Sequence, residues 1–72
     1  MMIEQIRNLR DARPFRPFVL LLADGGRIPV ADRELILVVP SGRIVVVCQS
    51  DDSFNIVDMS LVTSVEAKGS DA

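Results

Sequence analysis

The spacing of hydrophobic residues along the chain changes period once. Ile3, Ile6 and Leu9, with Met2 beside them, recur at helical intervals, while Glu4, Arg7, Asn8 and Asp11 fall elsewhere on the turn. This predicts an amphipathic helix over about residues 2–12. Glu4 near its start and Arg10 near its end suit the helix dipole. Pro14 disfavours the α conformation at Arg13, so the helix ends by then. A helix of about ten residues is marginal alone, and this one must dock on something.

Beyond Pro17 the pattern is extended. Pro14 and Pro17 cannot donate ladder hydrogen bonds, which places them before a strand that begins near Phe18. Phe18, Leu20 and Leu22 then point one way, and Val19, Leu21 and Ala23 the other, so both faces are apolar. "ADGGR" carries the Asp-Gly signal of a tight hairpin. Residues 27–31 return antiparallel, with Ile28 and Val30 on one face and Pro29 marking an edge or a bulge.

"ADRELILVV" carries two patterns. Asp32 can cap one helical turn over residues 33–36, and residues 35–39 also read as a short branched strand. The favoured reading is a turn at 32–34 followed by a strand. "VPSGR" is a turn, residues 43–49 a strand, "SDDS" a turn, and residues 54–57 a strand with Phe54 and Ile56 on one face. "DMSL" reads as a 3₁₀ turn opened by Asp58, and residues 62–67 as the last strand. The tail at 69–72 lacks core residues and is expected to fray. The expected fold is mainly β: an N-terminal helix, then five or six antiparallel strands forming a small barrel of the SH3-like or Sm-like kind. One domain covers residues 1–68, with its barrel over about residues 16–67.

Length sharpens this picture. A chain of 72 residues buries only roughly 60% of the surface its unfolded form exposes, so its core needs support. Disulfides within the chain cannot supply it, because Cys48 is the single cysteine. Within "IVVVC" it is expected to be a buried, inert thiol. Association can supply that support. Residues 18–23 and 44–48 are apolar at every position and ask for cover on both sides, more than one short helix can provide. A homo-oligomer is therefore expected.

The apolar runs are far too short to span a membrane, and the charged opening "MMIEQIRNLRDARP" does not resemble a secretion signal, so a cytoplasmic location is expected. The net charge of −2 is unevenly spread, with seven arginines against five acids in residues 1–43 and one lysine against five acids in residues 44–72. Such asymmetry can mark an anion-binding face and more often marks a solvated surface or two complementary faces of one assembly, while overall acidity argues against general nucleic-acid binding.

Catalytic chemistry fails for want of parts. The chain has no His, which removes Ser-His and Cys-His nucleophile pairs and imidazole metal ligands. One cysteine cannot build a zinc site, and Lys68 has no apolar run around it. "ADGGR" matches neither phosphate-binding glycine pattern. Asp51 and Asp52 read as a solvated turn, and Asp24 as a turn former. No catalytic residue, cofactor or metal site is expected, and the chain reads as a non-enzyme, a subunit completing a larger enzyme being a weaker reading. Phe15, Phe18 and Phe54 are expected to pack in the core rather than to stack on bases. Arg10, Arg13 and Arg16 can form a basic strip where the helix meets the first strand, the one candidate interaction site.

The order of helix, "RPFVLLLADGGRIPV", further strands and "VDMSLVTSVEA" resembles the Sm-like fold, in which a helix leads into a small bent five-stranded barrel that forms rings and binds RNA. The chain has "ADRELI" where the Sm-like first motif has Gly and Asn, and no Lys-His pair before "LVTSV". The resemblance thus implies the barrel, and leaves single-strand RNA binding to the arginine strip. "DARPFRPF", "LADG", "PSGR-IVVV" and "LVTSVE" together resemble a family of short, uncharacterised bacterial proteins across residues 3–66, a resemblance that implies no activity. The expected role is a self-associating interaction module, open to other protein partners. The alternative is an RNA binder using Arg10, Arg13 and Arg16.

Overall fold

One helix precedes six strands in the computed structural model, which describes residues 3–67. Helix α1 spans Ile3–Asp11, and β1 (Phe18–Leu22) and β2 (Arg27–Val30) form the first hairpin. A 3₁₀ turn at Arg33–Leu35 leads into β3 (Ile36–Val38), followed by β4 (Ile44–Cys48) and β5 (Phe54–Asp58). A second 3₁₀ turn at Met59–Leu61 precedes β6 (Val62–Ala67). The expected helix start at Met2 and the expected frayed tail at 69–72 lie outside the described residues.

The strands make two three-stranded antiparallel sheets, ordered β2-β1-β6 and β3-β4-β5, and among the described residues no ladder closes them into one barrel. Pro29 pairs opposite Val19 in β2, an outer strand, where one side has no ladder to serve. The register of β1 with β6 skips Thr63 between Leu21 and Leu22, and the Thr63 hydroxyl donates to the Leu21 carbonyl at 3.1 Å. Such a bulge bends the strand locally.

The "ADRELILVV" segment satisfies both of its patterns in succession. The Asp32 carboxylate accepts the Arg33 N–H at 2.7 Å, and the Leu35 N–H donates to the Asp32 carbonyl at 3.1 Å. The 3₁₀ turn is thus capped, and β3 starts at Ile36. The second turn repeats the device, the Asp58 carboxylate accepting the Ser60 N–H at 2.9 Å. The two turns are reciprocal crossings. One carries the chain from the first sheet to the second, between β2 and β3, and the other carries it back, between β5 and β6.

The core lies between the sheets. Phe18, Leu20 and Val30 from one sheet and Val45 and Val47 from the other are fully buried. Ile6 joins them from α1, with Ile3 and Leu9 packed against the cluster. The helix thereby finds the docking that its length requires. Its flank reaches β6, since Gln5, Asn8 and Leu9 border the same groove as Ser64 and Val65. Its start lies against the β3–β4 turn, where Ile3 approaches Gly42. Arg33 holds the α1–β1 connection by donating to the Ala12 carbonyl and placing its guanidinium 5.8 Å from the Phe15 ring centre. The Phe15 ring in turn sits 5.9 Å from that of Phe18.

The β1–β2 hairpin turns on Gly25, whose φ of +89° lies in the left-handed region. Asp24 supports the turn, its carboxylate accepting the Gly26 N–H at 2.8 Å. A Cβ at Gly25 would meet no atom within 4 Å, so the cost of adding one lies in the backbone conformation. Gly25→Val should therefore lower stability by about 1–2 kcal/mol, and Gly25→Asn by clearly less, because Asn tolerates this conformation. Equal losses in denaturant melts of the two variants would contradict this account of the turn.

Candidate interaction surface

Side-chain alternation in the β3-β4-β5 sheet sends one set of residues inward and another outward. Ile36, Val38, Val45, Val47 and Val57 face the core and are buried. The opposite positions are Leu37 on β3, Ile44, Val46 and Cys48 on β4, and Phe54, Ile56 and Asp58 on β5. Leu37 is 62%, Phe54 61% and Ile56 67% exposed. Leu37 pairs with Val46, and Val46 with Ile56, so these three make one row across the sheet. Beside it, Cys48 pairs with Phe54, and Ile44 with Asp58. Among the described residues no helix covers this surface, because α1 is engaged between the β3–β4 turn and β6.

Two expectations are corrected here. Cys48 is exposed rather than buried, since it shares its parity with Ile44 and Val46 and not with Val45 and Val47. Phe54 does not pack in the core, for the same reason: its cross-strand partner is Cys48. Phe18 is buried and Phe15 packs against the cluster, as expected. The cover that the all-apolar β4 asks for is thus present on one side only.

The arginine strip is divided in its bonding. Arg10 donates from Nε to the Asp11 carboxylate at 2.9 Å, which raises the Arg10 pKa and lowers that of Asp11. Arg13 and Arg16 are exposed and form no ion pair among the described residues. Both border a shallow depression with Leu9, Ala12, Pro14 and Ala67. Arg33, not anticipated as part of this region, reaches it through Ala12 and Phe15.

The carboxylates serve turns. Asp51 accepts from the Ser53 hydroxyl and, at 3.0 Å, from the Ser53 N–H, and these bonds hold its pKa below the usual value. Asp52 occupies a left-handed position, with φ of +73°. At Asp58 the Ser60 N–H is the main cause of a lowered pKa, and the positive charge of Arg43 adds to it. Among the described residues no three carboxylate or thiol groups converge on a common point, and no helix is long and apolar enough to cross a membrane.

No family model, curated protein or solved structure matches the chain.

The lowered carboxylate values give stability a definite pH dependence. A group whose pKa is lower folded than unfolded contributes above its unfolded value, here 3.8, and that contribution is lost as pH falls through the folded value. The melting temperature should therefore drop on acidification below about pH 5. Asp58→Asn keeps an acceptor for the Ser60 N–H but cannot titrate. Its melting temperature should fall less over the same range, and an unchanged acid profile would contradict the role given to Asp58.

Proposed function

We propose that this chain is a non-enzymatic, self-associating interaction module, a small barrel of the SH3-like or Sm-like kind acting as a homo-oligomer in a bacterial cytoplasm. The observation that carries this reading is the uncovered apolar surface of the β3-β4-β5 sheet. A row of Leu37, Val46 and Ile56 in water is an association surface by its chemistry, since contiguous exposed apolar patches on soluble chains mark contacts. Association also supplements a core limited by chain length.

Barrel closure is favoured by the two reciprocal crossings and by the core that the sheets share. Gln49 reinforces it, its side-chain amide donating across to the Pro29 carbonyl at 3.2 Å.

Arg13 and Arg16, exposed and in no ion pair among the described residues, favour single-strand RNA as the second reading. Against it stands the pairing of Arg10 with Asp11 and the net charge of −2.

Light scattering at micromolar concentration should report a dimer or larger species, and the melting temperature should fall on dilution. Fluorescence anisotropy with a labelled single-stranded RNA should show no binding at physiological salt. A monomer whose melting is independent of concentration contradicts the self-association reading. Tight binding that weakens steeply with salt, and is lost in Arg13→Glu and Arg16→Glu, would establish the RNA reading in its place.

A further inference from the structure

We propose that the groove between α1 and β6 docks a short extended peptide of another protein, one whose small apolar side chains are followed by a carboxylate that Arg13 and Arg16 receive. This rests on the reading of the chain as an interaction module and adds the chemistry of a partner.

The groove is built from two depressions. One, of about 450 Å³, lies between Gln5, Asn8 and Leu9 of α1 and Ser64, Val65 and Ala67 of β6. The other, of about 310 Å³, adds Arg13, Pro14 and Arg16, and it shares Leu9 and Ala67 with the first, which makes the two continuous. From Gln5 to Ala12 the helix advances about 10 Å, at about 1.5 Å per residue. From Ser64 to Ala67 the strand advances about 10 Å as well, at about 3.4 Å per residue. The groove therefore matches about three residues of extended chain. Its middle is apolar, with Leu9 and Val65 packed against the core beneath. Gln5, Asn8 and Ser64 are exposed and offer amide and hydroxyl groups to a peptide backbone.

Charge chooses the occupant. Each acid on α1 and β6 is already paired, Glu4 with Arg7 and Asp11 with Arg10 at 2.9 Å, and Glu66 with Arg27 at 2.6 Å. Glu66 also alternates to the opposite side of β6 from Val65 and Ala67. Arg33 is committed to the Ala12 carbonyl and the Phe15 ring, and its chain neighbours Asp32 and Glu34 do not border the groove. Asp11 feels the charges of Arg13 and Arg33 in addition to that of its partner. With Arg10 set against Asp11 and Arg33 against its two acidic neighbours, the surplus at this end is Arg13 and Arg16. Both are exposed, and both border the second depression. A guanidinium receives a carboxylate through two parallel hydrogen bonds.

A nucleic-acid strand suits the groove less well. Its binders stack bases on aromatic rings along a continuous basic path. Here the nearest ring, Phe15, packs against the core with Arg33 over it, and the residues bordering the first depression carry no charge. A ligand with its charge at one end and aliphatic side chains along the rest fits this distribution.

Fluorescence anisotropy tests the proposal with labelled pentapeptides, amidated at the C-terminus, that carry every combination of Ala, Val and Leu at three positions followed by Glu-Glu. At least one should bind the wild-type chain, and its Gln-Gln counterpart should bind at least about tenfold more weakly. Arg13→Gln with Arg16→Gln should weaken the acidic peptide to the same degree. Ser64→Trp fills the groove away from the arginines and should also abolish binding. All three positions are exposed, so these variants should fold as wild type, which circular dichroism checks. No binding by any peptide at millimolar protein overturns the proposal, while light scattering without peptide reads self-association separately. Binding that survives Ser64→Trp reduces the site to bare charge attraction and overturns the groove. A single-stranded oligouridine bound more tightly than the peptides, and lost in the arginine double variant, assigns the arginines to RNA instead. A wild-type oligomer that dissociates in that double variant shows a second copy in the groove and overturns the proposal as well.

Discussion

A strand with no polar face constrains everything else in this molecule. Strand β4 reads "IVVVC", and its geometry sends Val45 and Val47 inward, where both are fully buried. The same geometry turns Ile44, Val46 and Cys48 outward. Since β4 is central in its sheet, β3 and β5 must follow its parity, placing Leu37, Phe54 and Ile56 on the outer side. One face of this sheet therefore builds the core, while the other, Asp58 apart, is apolar and uncovered among the described residues. Strand β1, the other all-apolar strand, is treated differently: Phe18, Val19 and Leu20 are all buried.

The distribution of cover follows from where the chain spends its short length. The single helix is committed to the core through Ile6, with Ile3 against Gly42 and Leu9 beside Val65. It has no second face to lend. The two capped 3₁₀ turns then bring the sheets together over one core. Asp32 and Asp58 perform the same task at the two crossings, each satisfying a backbone N–H that the start of a turn leaves without a partner. These contacts organise the inside, and among the described residues they leave the outer face of β3, β4 and β5 without cover.

Local chemistry was legible in the sequence, and the phase of β4 was not. The helix end ahead of Arg13 and Pro14, the hairpin at Gly25 and the turn opened by Asp58 each rest on residues a few positions apart, so their neighbours decide them. The facing of strand β2 is legible as well, because buried Ile28 and Val30 alternate with exposed Arg27 and Pro29. Alternation carries information only where polar and apolar residues differ, and "IVVVC" offers no such difference. Its facing is decided by partners far along the chain, namely Ile36 and Val38 on one side and Val57 on the other. That is why Cys48 and Phe54 were expected inside. Among the candidate site residues, the proximity of Arg10, Arg13 and Arg16 followed from their spacing, whereas the approach of Arg33 depends on a contact spanning 21 residues.

Cys48 is the natural reporter of the central claim, that this apolar face is covered by association. It is the chain's single thiol, it is exposed, and it lies on the face in question. The rate of its reaction with a small alkylating reagent in excess, measured per thiol at increasing protein concentration, tests the claim directly. The rate should fall as concentration rises through the range in which the chain associates, because a face covered by association excludes the reagent. A rate that stays constant while the chain goes from monomer to oligomer would show that association leaves this face bare, contradicting the account.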